Sequence, residues 1–310
     1  MKFTGTITAM VTPFKNNQLD AEGLAYNVNY QIEQGIDSVV VLGTTGEPST
    51  LSSEEKDRVV AIAVAEASGK IPVIVGTGHN NTLETIQRTQ KAKDLGASAA
   101  LVIAPYYNKP SQEGLYRHYK AVAENVELPL IIYNAPGRVG VNIEASTVMR
   151  MADLPNVVGI KECSGNLMQI AEIMQKVARK KTNFAVLCGD DFLTLPMIAL
   201  GAEGLISVAS NLVPKFVMEM VREALVGNIP FAQNRYYGLL SLFKLAFIEV
   251  NPVPIKEAMH MCGMPAGECR LPLCELLPEN REKLRQLLIE MELLKVDEVS
   301  FESRFSVSTR

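Results

Sequence analysis

Long hydrophobic runs are missing from this chain of 310 residues. No stretch reaches the roughly 18 apolar residues that a membrane span needs. The start, Met1-Lys2-Phe3-Thr4-Gly5, offers no apolar core of signal-peptide length. An excess of positive charge is missing too. Lys and Arg number 30 against 34 Asp and Glu, a formal charge of -4. That balance argues against nucleic acid or an anionic membrane surface as the main partner. Cysteine is scarce: five residues, an odd number, with no Cys-x-x-Cys pair, and the three histidines, His79, His118 and His260, lie far apart. Neither a disulfide scaffold nor a zinc site by local spacing is expected, and the plain reading is a reduced, cytoplasmic, metal-free protein. No P-loop, GxGxxG or EF-hand pattern occurs, which leaves nucleotide and calcium readings without support.

What is present is ordinary globular material, 47% hydrophobic and 21% charged. Short apolar runs recur at Gly5–Ala9, Ser38–Leu42, Pro72–Gly76, Ala99–Ala104, Leu130–Tyr133, Val157–Lys161, Phe184–Leu187 and Gly204–Val208. Each is too short for an average helix, and most are continuous, as suits parallel strands covered on both faces. Helical patterns lie between them. Ser53–Ala67 follows Ser52 with Glu55 three residues on, a capping box. Leu83–Leu95 ends at Gly96, and Gln112–Asn125 follows Pro110-Ser111. Eight strands at βαβ spacing predict an α/β protein, a closed (β/α)8 TIM barrel with a C-terminal helical appendage. The rival, an open doubly wound sheet, lacks its glycine fingerprint after the first strand. The expected division is 1–210 for the barrel, 211–296 for a helical region packed on it and 297–310 for a disordered tail.

A barrel of this kind carries its site at the C-terminal ends of its strands. There the chain places Gly43-Thr44-Thr45-Gly46-Glu47, Gly76-Thr77-Gly78-His79-Asn80, Pro105-Tyr106-Tyr107-Asn108, Tyr133-Asn134-Ala135-Pro136-Gly137-Arg138, Lys161-Glu162 and Gly189-Asp190-Asp191. Lys161 is the odd residue, ending an otherwise apolar strand on the side of Gly159, where a long amine has room to stand upright. Burial of an amine disfavours its charged form, and a neutral amine attacks a carbonyl to give a Schiff base. The blander reading is a lysine that reaches solvent or pairs with a carboxylate. Tyr133 ends the neighbouring strand, where a phenol can pass a proton during imine chemistry or simply pack its ring. Thr44-Thr45-Gly46 can offer hydroxyls and N–H groups to a carboxylate, or serve as a helix cap. Arg138 can grip a second carboxylate, or be solvated. Asp190-Asp191 reads as a helix N-cap and support for the site, and His79 and His118 as polar structural residues.

Together these segments resemble the dihydrodipicolinate synthase family. The match rests on Gly43-Thr44-Thr45-Gly46-Glu47, on Tyr106 through Tyr116, on Tyr133-Asn134-x-Pro136-x-Arg138 and on Gly159-Ile160-Lys161-Glu162. Gly189-Asp190-Asp191, Ile206-Ser207-Val208 and Asn251-Pro252-x-Pro254 add to it, and it spans residues 1–295. The resemblance implies a lyase that condenses pyruvate with L-aspartate 4-semialdehyde to give 4-hydroxy-tetrahydrodipicolinate, at the entry to diaminopimelate and lysine, without a cofactor or metal. It implies that Lys161 forms the pyruvate imine and Tyr133 moves protons. By the resemblance, Thr44 connects Tyr133 to Tyr107, which in the family reaches in from a neighbouring subunit of a homotetramer built as a dimer of dimers. The resemblance further implies that Thr45 and the backbone at Ile206 bind pyruvate and that Arg138 receives the semialdehyde carboxylate.

The nearest rival is N-acetylneuraminate lyase, which shares barrel and lysine but lacks an arginine matching Arg138 and typically has Ser-Thr where this chain has Thr44-Thr45. A sugar-acid aldolase is a weaker one, and a barrel that has lost catalysis and only binds or regulates is the reading of a different class. The resemblance also implies an effector site for lysine at the dimer interface, at positions matching Ser49, Lys56, Asn80, Glu84 and Tyr106. Pro48 and Lys56 depart from lysine-sensitive members, which often carry His or Glu at the second position. Lys56 lies one helical turn past Ser52, facing the same cleft, where an ammonium repels the ammonium of the effector. At about 4 Å and an intermediate dielectric that repulsion reaches a few kcal/mol. Weak or absent lysine inhibition is therefore expected.

Overall fold

The computed structural model describes residues 2–178 and 184–295. Eight parallel strands close into a barrel: β1 Gly5–Ala9, β2 Ser38–Val41, β3 Val73–Gly76, β4 Ala99–Ile103, β5 Leu130–Asn134, β6 Val157–Glu162, β7 Ala185–Cys188 and β8 Gly204–Ser207. Each strand pairs with its neighbours in sequence, and β8 returns to β1 with Ile7 opposite Ile206. The expected (β/α)8 barrel is therefore the observed one, with every strand within two residues of its apolar run. The regularity has a simple cause. Helices cover the outer face and side chains fill the inner one, so both faces of each strand are apolar and read as one run. Ile7, Val40, Ile74, Leu101, Ile131, Leu187 and Ile206 form the interior filling, all at most 2% exposed.

The surrounding helices are α1 Ala21–Gln34, α2 Ser53–Ala67, α3 Thr82–Asp94, α4 Gln112–Asn125, α5 Ala145–Met151, α6 Leu167–Ile173, α7 Thr194–Ala199 and α8 Pro214–Leu225. The capping box at α2 is present in both directions, with Glu55 N–H donating to Ser52 Oγ and Ser52 N–H donating to Glu55 Oε2. On α4 the buried face is Leu115, His118, Tyr119 and Val122, an i, i+3, i+4, i+7 stripe. Burial holds His118 down to about 4, so the imidazole is neutral on that face, 3.0 Å from the Thr82 hydroxyl.

The stretch expected as the C-terminal region, 211–296, opens with α8, which packs on β1 and α1 as the barrel's last helix. α8 buries Val217, Met218, Met220, Val221 and Ala224. Each larger side chain of that face contributes about 1.5–3 kcal/mol by leaving water. Three further helices follow, α9 Ile229–Leu245, α10 Val253–Met261 and α11 Pro278–Glu290, with α9 against α8 and α11 against both α9 and α10. The tail expected at 297–310 lies outside the described residues. No helix among the described residues is long and apolar enough to cross a membrane.

Candidate active site

The register of β5 against β6 places Tyr133 directly opposite Lys161. Both side chains belong to the inner face, 6% exposed each, and the Lys161 ammonium nitrogen stands 4.5 Å from the centre of the Tyr133 ring. Gly159 was expected to make room for the lysine stem. The structure assigns that service to Gly189, at the end of the next strand. A Cβ built on Gly189 would sit 2.8 Å from Lys161 Cε and 2.9 Å from its Cγ, whereas one on Gly159 would strike the Ala185 carbonyl. Side-chain alternation along one strand indicated the direction of Lys161, but its free space comes from the facing backbone of β7.

The Thr44 side chain lies beside the Tyr133 phenol, close enough to act on its pKa. Burial raises the phenol's pKa, while Lys161, Thr44 and the charge of Arg138 pull it back. The phenol is thus protonated at rest and has a hydroxyl neighbour along which a proton can move. Cys163 lies within reach of the same phenol, but burial pushes its thiol up to about 12, so it offers no thiolate to compete with the amine. Behind the pair, the next register position joins Asn134 to Glu162. Asn134 Nδ2 donates to both Glu162 oxygens at 3.2 and 3.0 Å, and Ser164 N–H donates to Oε1 at 2.6 Å. Burial raises the Glu162 pKa against these donors. This network ties β5 to β6 one residue beyond Tyr133 and Lys161, and so fixes their separation.

The other mouth residues arrive on short turns. Thr44 and Thr45 lie on a single 3-10 turn, Thr44–Gly46, after β2. Thr45 is buried and accepts a hydrogen bond from Asn251 Nδ2 at 3.0 Å. Arg138 is exposed on the helical turn Pro136–Val139 after β5, lining a cavity of about 700 Å³ with Thr44 and Tyr133. The cavity opens at the barrel mouth and runs outward between α2 and α3. Lys161 stands behind the Tyr133 ring and is not among its lining residues. Ile206 is fully buried in β8 at the same level as the interior filling. Asp190 caps the turn Asp191–Leu193 through Phe192 N–H, and buried Asp191 accepts from Ser207 Oγ and from the N–H groups of Val208 and Ala209. Asp190 thus caps the turn, as the sequence indicated, and Asp191 ties that turn to the loop after β8.

Tyr107 is not brought to this constellation within one chain. It is 88% exposed, at a left-handed φ of 72°. Of the expected effector positions, Ser49, Lys56, Glu84 and Tyr106 line the outer part of the cavity. Asn80 lies off it, its carbonyl accepting from Asn108 Nδ2. Burial, then Arg88, lowers the Lys56 pKa, and Glu84 is paired with Arg88 at 2.8 Å. Among the described residues no three His, Cys, Asp or Glu side chains converge as metal ligands would.

Sequence reasoning missed the support beneath the Thr44–Gly46 turn. Glu47 Oε1 and Lys256 Nζ form an ion pair at 2.8 Å with both side chains 1% exposed. Nearby, Arg270 grips Glu55 through two nitrogens at 2.7 and 2.6 Å, and that guanidinium holds the Glu55 carboxyl down to about 2. The available signal was Lys256 itself, a lone lysine inside the apolar run Val253-Pro254-Ile255 and Ala258-Met259.

The sequence matches the model of the Dihydrodipicolinate synthetase family over residues 2–291. It is 48% identical to the 4-hydroxy-tetrahydrodipicolinate synthase of Protochlamydia amoebophila, over 94% of this chain and 97% of that protein. The fold is similar to the crystal structure of dihydrodipicolinate synthase from Aquifex aeolicus, at 47% identity and a TM-score of 0.92, covering 95% of this chain and 100% of that one. It is also similar to the enzyme of Cyanidioschyzon merolae solved with lysine bound, at 38% identity and a TM-score of 0.91, covering 94% and 99%.

Proposed function

The chain belongs to the dihydrodipicolinate synthetase family, and we propose that it performs the family's reaction on a pyruvate imine at Lys161. It is a lyase that condenses pyruvate with L-aspartate 4-semialdehyde to give 4-hydroxy-tetrahydrodipicolinate, in diaminopimelate and lysine biosynthesis. The observation that carries the site assignment is the facing pair Tyr133 and Lys161, one amine and one phenol buried together at the mouth of the barrel.

The Lys161 amine attacks the keto carbon, and loss of water gives the iminium. Its nitrogen draws electrons from the neighbouring carbon, so a C3 proton leaves and an enamine forms. The enamine carbon attacks the aldehyde, and the new alkoxide takes a proton. The amine of the semialdehyde then attacks the imine carbon, closes the ring and releases Lys161. The Tyr133 phenol supplies and recovers the protons, with Thr44 as its partner. Thr45 and the backbone at Ile206 hold the pyruvate carboxylate, and Arg138, at the cavity, holds the carboxylate of the semialdehyde. That last carboxylate is what favours this substrate over the sugar of the rival lyase. Pyruvate with borohydride, followed by peptide mass mapping, tests the reading. A reduced pyruvate adduct on Lys161 is expected, and a chain that gains no mass there overturns it.

The working form is a homo-oligomer, a dimer of dimers, in the cytoplasm, where five free thiols are stable. Tyr107 supports the assembly. A nearly bare ring on a strained backbone is poor economy for a lone chain and useful where a second copy covers it. Its hydroxyl would complete the Thr44–Tyr133 chain of the neighbour. Tyr107→Phe is expected to reduce kcat by about tenfold or more, the loss of one proton-passing group. Sedimentation of the parent protein should show an oligomer; a monomer of full activity contradicts the assignment.

Lysine is expected to be a weak inhibitor. Lys56 faces the cavity half-buried, with Arg88 close enough to oppose its charge, and Glu84 is already committed to Arg88. A lysine effector would bring one more ammonium into this group, and the nearest carboxylate is not free to receive it. Initial rates against added L-lysine decide the matter. Half-inhibition below about 1 mM, roughly 4 kcal/mol of binding, is the result that removes this expectation.

A further inference from the structure

The turn that carries Thr44 and Thr45 is gripped by a segment 206 residues further along the chain. Lys256 on α10 supplies one half of the grip. Its ammonium donates to Glu47 Oε1 at 2.8 Å, to the Thr12 carbonyl at 3.1 Å and to the Glu268 carbonyl at 2.6 Å, so all three protons are used. The second Glu47 oxygen accepts from Arg270 N–H at 3.1 Å, and Thr12 Oγ1 donates to the Gly46 carbonyl at 2.7 Å. Removal of either charge alone would strand the other in the interior, an expensive state. The turn is therefore fixed at Gly46 and Glu47.

Asn251 supplies the other half. It is 5% exposed and donates Nδ2–H to Thr45 Oγ1, and its own Oδ1 is buried with no partner. A threonine hydroxyl has one proton to give and two lone pairs. Here one lone pair is occupied by the amide, so the hydroxyl proton must point elsewhere. Among the described residues no protein acceptor receives it, although Thr45 is only 2% exposed. A buried donor left open on one side is a demand for an acceptor, and an anion meets it best.

We propose that Asn251 is a positioning residue which fixes the direction of the Thr45 O–H and so makes it a dedicated donor to the carboxylate of the keto acid, while the Glu47–Lys256 pair holds the turn in place. The inference rests on the assignment of Thr45 to pyruvate binding. It predicts an effect on one substrate only. Without the amide, the Thr45 hydroxyl can rotate and spend its proton on a neighbouring carbonyl, and pyruvate must reclaim it.

Steady-state kinetics on Asn251→Ala, Thr45→Val and the double variant test this. Asn251→Ala is expected to raise KM for pyruvate about fivefold to tenfold, with kcat at saturating pyruvate and KM for the semialdehyde near parental values. In the Thr45→Val background the same exchange should add nothing, because the hydroxyl it orients is gone. Asn251→Asp keeps the volume but reverses the bond, since a carboxylate accepts the Thr45 proton; its KM for pyruvate should rise further. Melting curves show that each variant is folded. A parental pyruvate KM in both the Ala and Asp variants overturns the proposal. So does an Ala effect that adds in full to that of Thr45→Val, or one that falls equally on both substrates, since a merely structural contact would behave so. Borohydride trapping on the parent keeps this separate from the reading beneath it. No adduct on Lys161 removes the functional assignment, whereas an adduct with unchanged pyruvate KM in the variants removes only the role of Asn251.

Discussion

Lys161→Ala should gain no mass from pyruvate and borohydride, and should lose at least about 10³-fold in kcat, equivalent to about 4 kcal/mol of transition-state stabilisation. The expectation follows from what surrounds the amine. Among the described residues the only other buried lysine is Lys256, and its ammonium is committed to Glu47. The nearest alternative nucleophile, Cys163, is kept as a thiol by burial. A methyl group at position 161 therefore leaves Tyr133, Thr44 and Arg138 in place with nothing to attach the keto acid. Binding of pyruvate need not disappear, because Thr45 and the backbone of the mouth remain. Kinetics and binding should accordingly part company, with turnover gone and ligand-induced stabilisation partly retained. The fold should survive as well, since alanine at this buried position removes a polar group from the barrel interior. Retained turnover and a retained adduct at another residue would sink the assignment of Lys161.

The barrel was legible in the sequence because its strands are apolar on both faces, so each announces itself as a run and each run ends where the site begins. Lys161 and Tyr133 were legible for the same reason: a strand-end lysine or tyrosine after an apolar run is a break in pattern. Their mutual register needed only that β5 and β6 be neighbours. What stayed hidden were contacts set by the packing of distant segments. Nothing near Lys161 in sequence points to Gly189 as the residue that makes room for it. Nothing near Thr45 points to Asn251, because that bond exists only once the C-terminal helices have docked on the mouth. Glu47 looked like the tail of a glycine-rich turn, and its burial against Lys256 is a property of α10. Tyr107 is a different case. Its role as a relay was suggested by resemblance, and a single chain leaves the residue 88% exposed, so the fold of one copy does not carry that assignment and it rests on the proposed assembly.

Tyr133→Phe should still form the imine yet turn over about 10² to 10⁴ times more slowly, the usual worth of a positioned proton donor. The ring stays, so the wall beside Lys161 and the packing of the inner layer stay with it. Only the hydroxyl leaves, and with it the polar contact toward Thr44. Burial raises the phenol's pKa, which keeps the proton on the oxygen until a stronger base appears beside it. Such a base arises twice in the reaction, as the oxygen of the carbinolamine and as the alkoxide left by attack on the aldehyde. In the Phe variant water must serve both. Imine formation, which has time to reach equilibrium in a trapping experiment, should approach the parental yield on long incubation, while its rate falls. Carbon–carbon bond formation should carry the larger share of the loss. Single-turnover trapping separates the two steps: adduct mass against time for the first, product formation from preformed imine for the second. A variant with parental rates in both would mean that the phenol only packs its ring against Lys161, and the proton route would have to run through another group.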